Sequence, residues 1–173
     1  MNLNNLVKAA IFTATAIALG FVFMLIPNVE FISVTVFIAG LTLGLGFGAM
    51  VGGTSMFIYS ILNPLGSGLI YIPLLLGQVI AMALIGMFGA LTRKALLNLS
   101  IKLIMPIAGA IGCLCAIWYD GLTTMAYPIS AGYSWEETLA YSISGLIFTL
   151  MHVISNTLIF SIVVPGYLHR TSL

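Results

Sequence analysis

Apolar residues gather along this chain in six stretches, about Leu6–Ile26, Phe31–Leu43, Phe47–Leu62, Ile70–Thr92, Leu103–Ala126 and Leu139–Val164. Turn formers or charges bound most of them. Pro27-Asn28 follows the first, Asn63-Pro64 the third, Arg93-Lys94 the fourth, Pro128 the fifth and Pro165-Gly166 the sixth. Each stretch predicts a helix. The second and third are joined only by Leu43-Gly44-Leu45-Gly46-Phe47 and are predicted as two helices. Fused, their roughly 32 residues would reach ~48 Å, well beyond the ~30 Å core of a bilayer.

Composition turns these helices into membrane spans. Hydrophobic residues make up 61% of the 173 and charged residues only 5%, against roughly 25% charged in soluble domains. No ionisable carboxylate, lysine or arginine occurs between Phe31 and Thr92. The expected fold is an all-α integral membrane protein, a compact bundle of six transmembrane helices forming one domain over residues 1–173. Six spans of about 20 residues leave only loops and short tails. A soluble ATP-binding domain does not fit, so any ATP-driven work would need another chain. The net charge of +1 gives no electrostatic case for nucleic acid. Leu6–Ile26 is too long for a signal h-region and has no small-residue cleavage site before Pro27, so it is expected to be a retained helix.

Charge placement orients the bundle. With six spans and the N-terminus inside, Lys8, the loop from Arg93 to Lys102, and Arg170 all fall on one side. Glu30, Glu136 and Glu137 fall on the other, with Asp120 in the outer half of the fifth helix. Positive-inside bias then predicts cytoplasmic N- and C-termini.

Few residues carry chemistry. Asp120, next to Trp118 and Tyr119, is a carboxylate within a span, and such groups usually face a cavity or a partner. His152 and Asn156 are four apart on the sixth helix, hence on one face. From that helix's expected start His152 lies ~20 Å deep. Gln78 is a further intramembrane amide. These three predict either the floor of a polar pocket or hydrogen bonds between helices. Asn28, Glu30, Asn63, Tyr133 and Trp135 lie in the outward loops and could roof the same pocket. The alternatives are turn chemistry for the asparagines and interfacial anchoring for the aromatics. Tyr71, Trp118, Tyr119 and Asp120 would suit a flat ligand with polar edges, and Glu30 a cationic group.

Catalytic patterns are missing. There is no His-Glu-x-x-His, Gly-x-Ser-x-Gly or Walker A sequence, and Ser155 beside His152 does not make a triad. The expectation is a non-enzyme without cofactor or metal. Cys113 and Cys115 point to nearly opposite sides of a helix and predict neither a disulfide nor a metal site. Ala10, Ala14 and Ala18 form a small-residue stripe on the first helix, and Gly40, Gly44, Gly48 and Gly52 continue such spacing around the second and third. These stripes allow close packing, either within the chain or against a partner.

Taken in order, Ile26-Pro27-Asn28-Val29-Glu30, Phe37-Ile38-Ala39-Gly40, Gly48-Ala49-Met50-Val51-Gly52, Tyr59-Ser60-Ile61-Leu62-Asn63-Pro64-Leu65-Gly66 and His152-Val153-Ile154-Ser155-Asn156 resemble the substrate-binding S components of energy-coupling factor (ECF) vitamin transporters. The resemblance covers nearly the whole chain. It implies a prokaryotic plasma-membrane protein that captures a vitamin or related micronutrient in an outward cavity. It also implies docking through the Ala10, Ala14 and Ala18 pattern to a transmembrane coupling subunit carrying two cytoplasmic ATPases. Loops would close over the ligand, and toppling in the membrane would deliver it inward. The substrate stays open, with similar sequences leaning towards a cobalamin-type or flavin-type vitamin. Against this stand two other readings, a scaffold membrane protein of the cell envelope and a self-contained small-molecule transporter. The second is disfavoured by the absence of an inverted repeat.

Overall fold

A computed structural model describes residues 3–66 and 68–171, and every regular element among them is helical. We number the helices α1 (Leu3–Phe23), α2 (Ile32–Leu43), α3 (Leu45–Leu62), α4 (Ile72–Leu97), α5 (Ile101–Ala131), α6 (Trp135–Ser144) and α7 (Leu146–Thr171). A single 3-10 turn, Gly68–Ile70, precedes α4. Five helices (α1, α3, α4, α5 and α7) are long and apolar enough to cross a membrane. Large apolar side chains such as Val22, Leu91 and Ile162 stand exposed on them, as a lipid-facing surface requires. The protein is therefore a helical multi-pass membrane protein.

The expected segments differ from these helices in three places. The sixth stretch is two helices. Ser134 caps α6 in a capping box with Glu137, and α6 stops at Gly145 before α7 begins. The fourth stretch runs past Arg93-Lys94 to Leu97, since basic side chains favour a helix C-terminus. Neither Pro128 nor Pro165 stops its helix. Pro128 lies in the last turn of α5, where only one upstream carbonyl loses its partner. The actual terminator is Gly132, left-handed at φ 72°.

The second and third stretches are two helices, as their combined length requires. A Cβ added to Gly48 would lie 2.7 Å from the Gly40 Cα. Eight residues of one continuous helix would separate them by about 12 Å, so the chain folds back at Gly44, where φ is 91°. Further approaches fix the packing. The Gly52 position meets the Met82 carbonyl and Val36, Gly89 meets the Phe37 carbonyl, and Gly112 meets the Asn156 carbonyl. Neighbouring helices thus run in alternating directions in the order α1, α2, α3, α4, α5, α7.

That alternation separates the charges. The ends bearing Lys8, Arg93, Lys94, Lys102 and Arg170 gather with the Gly44 turn, tied by a 2.9 Å hydrogen bond between Thr42 and Tyr167. Glu30, Asp120, Glu136 and Glu137 belong to the opposite half. We call these the basic and acidic ends.

α2 is the centre of the bundle. Every residue from Ile32 to Leu41 is buried, as expected of a helix that is apolar all round. Its 12 residues reach only about 18 Å. It pairs Val36 with Gly52, so it begins well short of the acidic end of α3, which runs on to Leu62. The loop before it must therefore dip inward, and that loop carries Glu30.

Candidate functional site

Glu30 enters the bundle at the head of α2, where its carboxylate accepts the Ser33 N–H at 2.8 Å. An acid at this position complements the positive end of the helix. Its other oxygen accepts Asn156 Nδ2 at 3.1 Å and lies 3.6 Å from His152 Nε2. On its far side, His152 holds Asp120 Oδ1 at 2.8 Å through Nδ1. An imidazole from α7 thus bridges a loop carboxylate and an α5 carboxylate. Tyr119 meets the imidazole edge-on, with centroids 5.9 Å apart. Because α7 starts at Leu146, His152 lies about 9 Å along it, shallower than the unbroken sixth helix implied.

These groups surround a cavity of about 190 Å³ lined by Asn28, Glu30, Ile32, Ser33, Met56, Tyr59, Met82, Tyr119, Asp120 and His152. Its wall is mixed. Two carboxylates and an imidazole sit among methionines and tyrosine rings, a composition suited to binding an oriented small molecule. No group of three or more His, Cys, Asp or Glu side chains among the described residues is disposed to hold a metal ion.

Asn28 shapes the cavity through its backbone. Its φ of 57° is left-handed, and its carbonyl accepts the Ser155 hydroxyl. Asn tolerates this conformation, whereas a β-branched residue does not. Asn28→Val is expected to lower the thermal midpoint by about 3–6 °C, the equivalent of about 1–2 kcal/mol of strain. Asn28→Gly should melt within about 2 °C of wild type. Thermal unfolding of the detergent-solubilised protein checks both.

Of the residues singled out by sequence, Asn28, Glu30, Tyr119, Asp120 and His152 line the cavity, and Asn156 braces Glu30 from behind. Others stand apart. Asn63 Oδ1 accepts the Leu65 N–H at 2.9 Å and closes a turn. Tyr71 donates to the Ala126 carbonyl at 3.2 Å and contacts Ser130, strapping α4 to α5. Gln78 accepts the Ser60 hydroxyl at 2.8 Å between α3 and α4, and reaches the cavity only indirectly, through its contact with Tyr119. Trp118 lies on an apolar groove with Leu84, Phe88 and Leu114, and Trp135 is exposed at the start of α6. Tyr133 packs with Tyr127 and Tyr141 instead. Sequence reasoning missed Ile32, Ser33, Met56, Tyr59 and Met82. The methionines and Tyr59 carry no sequence signal of this role.

Ala10, Ala14 and Ala18 are exposed, on a different face from the buried Ala9, Ala16 and Gly20. Ala10 and Ala14 border a shallow groove with Leu6, Thr13, Met50 and Thr54. Comparison of the chain with protein-family models, with curated proteins and with solved structures gave no match.

Proposed function

We propose that this protein is the substrate-capture subunit of an ECF-type importer in a prokaryotic plasma membrane. In this reading α2 and the five long helices make six crossings, with both termini and the basic end in the cytoplasm. The acidic end faces outward and takes up a vitamin-like micronutrient. The observation that carries the reading is the polar cavity around Glu30, Asp120 and His152, set towards the acidic end of an otherwise apolar bundle. The segregation of Lys and Arg to the other end supports the orientation. The protein binds and releases without catalysing a reaction, and the energy comes from two ATPases acting through a coupling subunit.

The exposed alanine stripe of α1 supplies the docking face, since small residues let a partner helix approach closely. Ala14→Leu is expected to cut co-purification with the coupling subunit by at least about tenfold, equivalent to about 1.4 kcal/mol. Ligand binding by the isolated variant should be unchanged. Co-purification at the wild-type level would refute the docking face.

The buried carboxylate–imidazole–carboxylate set favours one second reading, a self-contained transporter, because intramembrane ionisable groups also mark proton relays. Counterflow of substrate in liposomes holding this chain alone would establish it in place of the first.

A further inference from the structure

The cavity carries more negative charge than the chain neutralises. Two carboxylates flank one imidazole, so even a protonated His152 leaves one negative charge in excess. Lys8, Arg93, Lys94, Lys102 and Arg170 all belong to the basic end, on the far side of the bundle. An unpaired buried carboxylate is costly in a medium of low dielectric constant.

A second, independent observation concerns hydrogen bonding. His152 is only 6% exposed; its Nε2 lies 3.6 Å from Glu30 Oε1, beyond hydrogen-bonding distance, and Asp120 Oδ2 has no hydrogen-bond partner among the described residues. Both residues line the cavity. Buried polar atoms are rarely left without partners. Asp120 Oδ2 can only accept while ionised, so the site asks for a donor as well as a positive charge.

Size and wall chemistry narrow the ligand further. About 190 Å³ is below the ~300–1,000 Å³ of pockets for drug-sized molecules. Tyr59, Tyr119, Met56 and Met82 offer flat and polarisable surfaces, suited to an aromatic ring and to a cation over a ring face.

We propose that this site binds a compact organic cation, a single flat ring bearing an amine or amidine head, with the head against Asp120 Oδ2 in the cavity that Glu30 and His152 also line. The proposal rests on the substrate-capture reading and gives its substrate class, directing the choice away from cobalamin-sized and flavin-sized vitamins.

Three near-isosteric probes test it: benzamidinium, benzamide and benzoate, titrated calorimetrically into the purified full-length protein. Benzamidinium is expected to bind at least about tenfold more tightly than benzamide, and benzoate to give no binding heat. Asp120→Asn and Glu30→Gln should each abolish the preference for the cation. A preference for benzamide or benzoate would overturn the proposal, as would no binding of any of the three. Assembly with the coupling subunit separates this from the parent reading. Intact assembly with riboflavin bound in preference to benzamidinium defeats the cation site alone. Cation binding without assembly defeats the importer reading and leaves the site standing.

Discussion

Gly86→Ala is expected to yield protein that does not fold to a stable monodisperse species. The added methyl would sit 2.1 Å from the Gly48 carbonyl oxygen and 2.5 Å from its carbon. Ordinary carbon–oxygen contacts in helix interfaces begin near 3.3 Å. Both obstacles are backbone, so no rotamer change relieves the clash. The same point is crowded from α2, because a Cβ on Gly40 would fall 1.8 Å from the Gly86 oxygen. Three helices therefore meet there with nothing between them but main chain, and spreading one pair opens the other. Overpacking commonly costs about 1–3 kcal/mol where side chains can shift. Here the cost should exceed about 3 kcal/mol, lowering the thermal midpoint by about 10 °C or more. Gly53→Ala is the matched control. Its Cβ would meet Val79 and Ala83 side chains at 3.8 and 3.9 Å, and alanine gains up to about 1 kcal/mol of helix propensity. Size-exclusion profiles and melting of the two variants side by side decide the matter. A Gly86→Ala protein melting within about 3 °C of wild type would contradict the packing.

The glycine contacts show what could be foreseen. Spacing of Gly40, Gly44, Gly48 and Gly52 announced close approach, and the excess length of a fused helix announced the fold-back at Gly44. Neither told which helix would come close. Gly86 and Gly89 on α4 were not singled out, because four-residue spacing within one helix says nothing about its neighbour. Helix ends were less legible. Pro128 and Pro165 looked like stops, but a proline removes one hydrogen bond, and surrounding helices tolerate that loss. The break at Gly145 was hidden because apolar residues continue through it.

The site was legible as separate pieces. Glu30, Asp120 and His152 stood out because ionisable groups are rare in this chain. Their assembly was not readable, since Asn156 and Glu30 are 126 residues apart. It depends on the shortness of α2, which draws Glu30 inward to the level of His152. Asn63, Tyr71 and Gln78 satisfied the same polar criterion yet found local or interhelical partners, and only three-dimensional packing distinguishes the two fates.

His152→Ala should destabilise the protein by about 2–4 kcal/mol, more than the loss of one hydrogen bond would give. Removing one member of a buried charged set commonly costs about 3–5 kcal/mol, because the partners are left uncompensated. The lower figure reflects residual solvent access, the Glu30 and Asp120 side chains being 24% and 18% exposed. Without the imidazole, two carboxylates confront one another across an apolar gap, and Asp120 loses the donor 2.8 Å away. If that repulsion is the cause, removing one of the charges must relieve it. His152→Ala/Asp120→Asn is therefore expected to recover at least about half of the lost stability, a coupling of 1 kcal/mol or more, whereas independent sites add within about 0.5 kcal/mol. Asp120→Asn alone should destabilise, since it weakens the hydrogen bond to a histidine still in place. Thermal melts of the four proteins in one detergent close the cycle. Additive losses would mean that His152 acts as packing rather than as the bridge between the two acids.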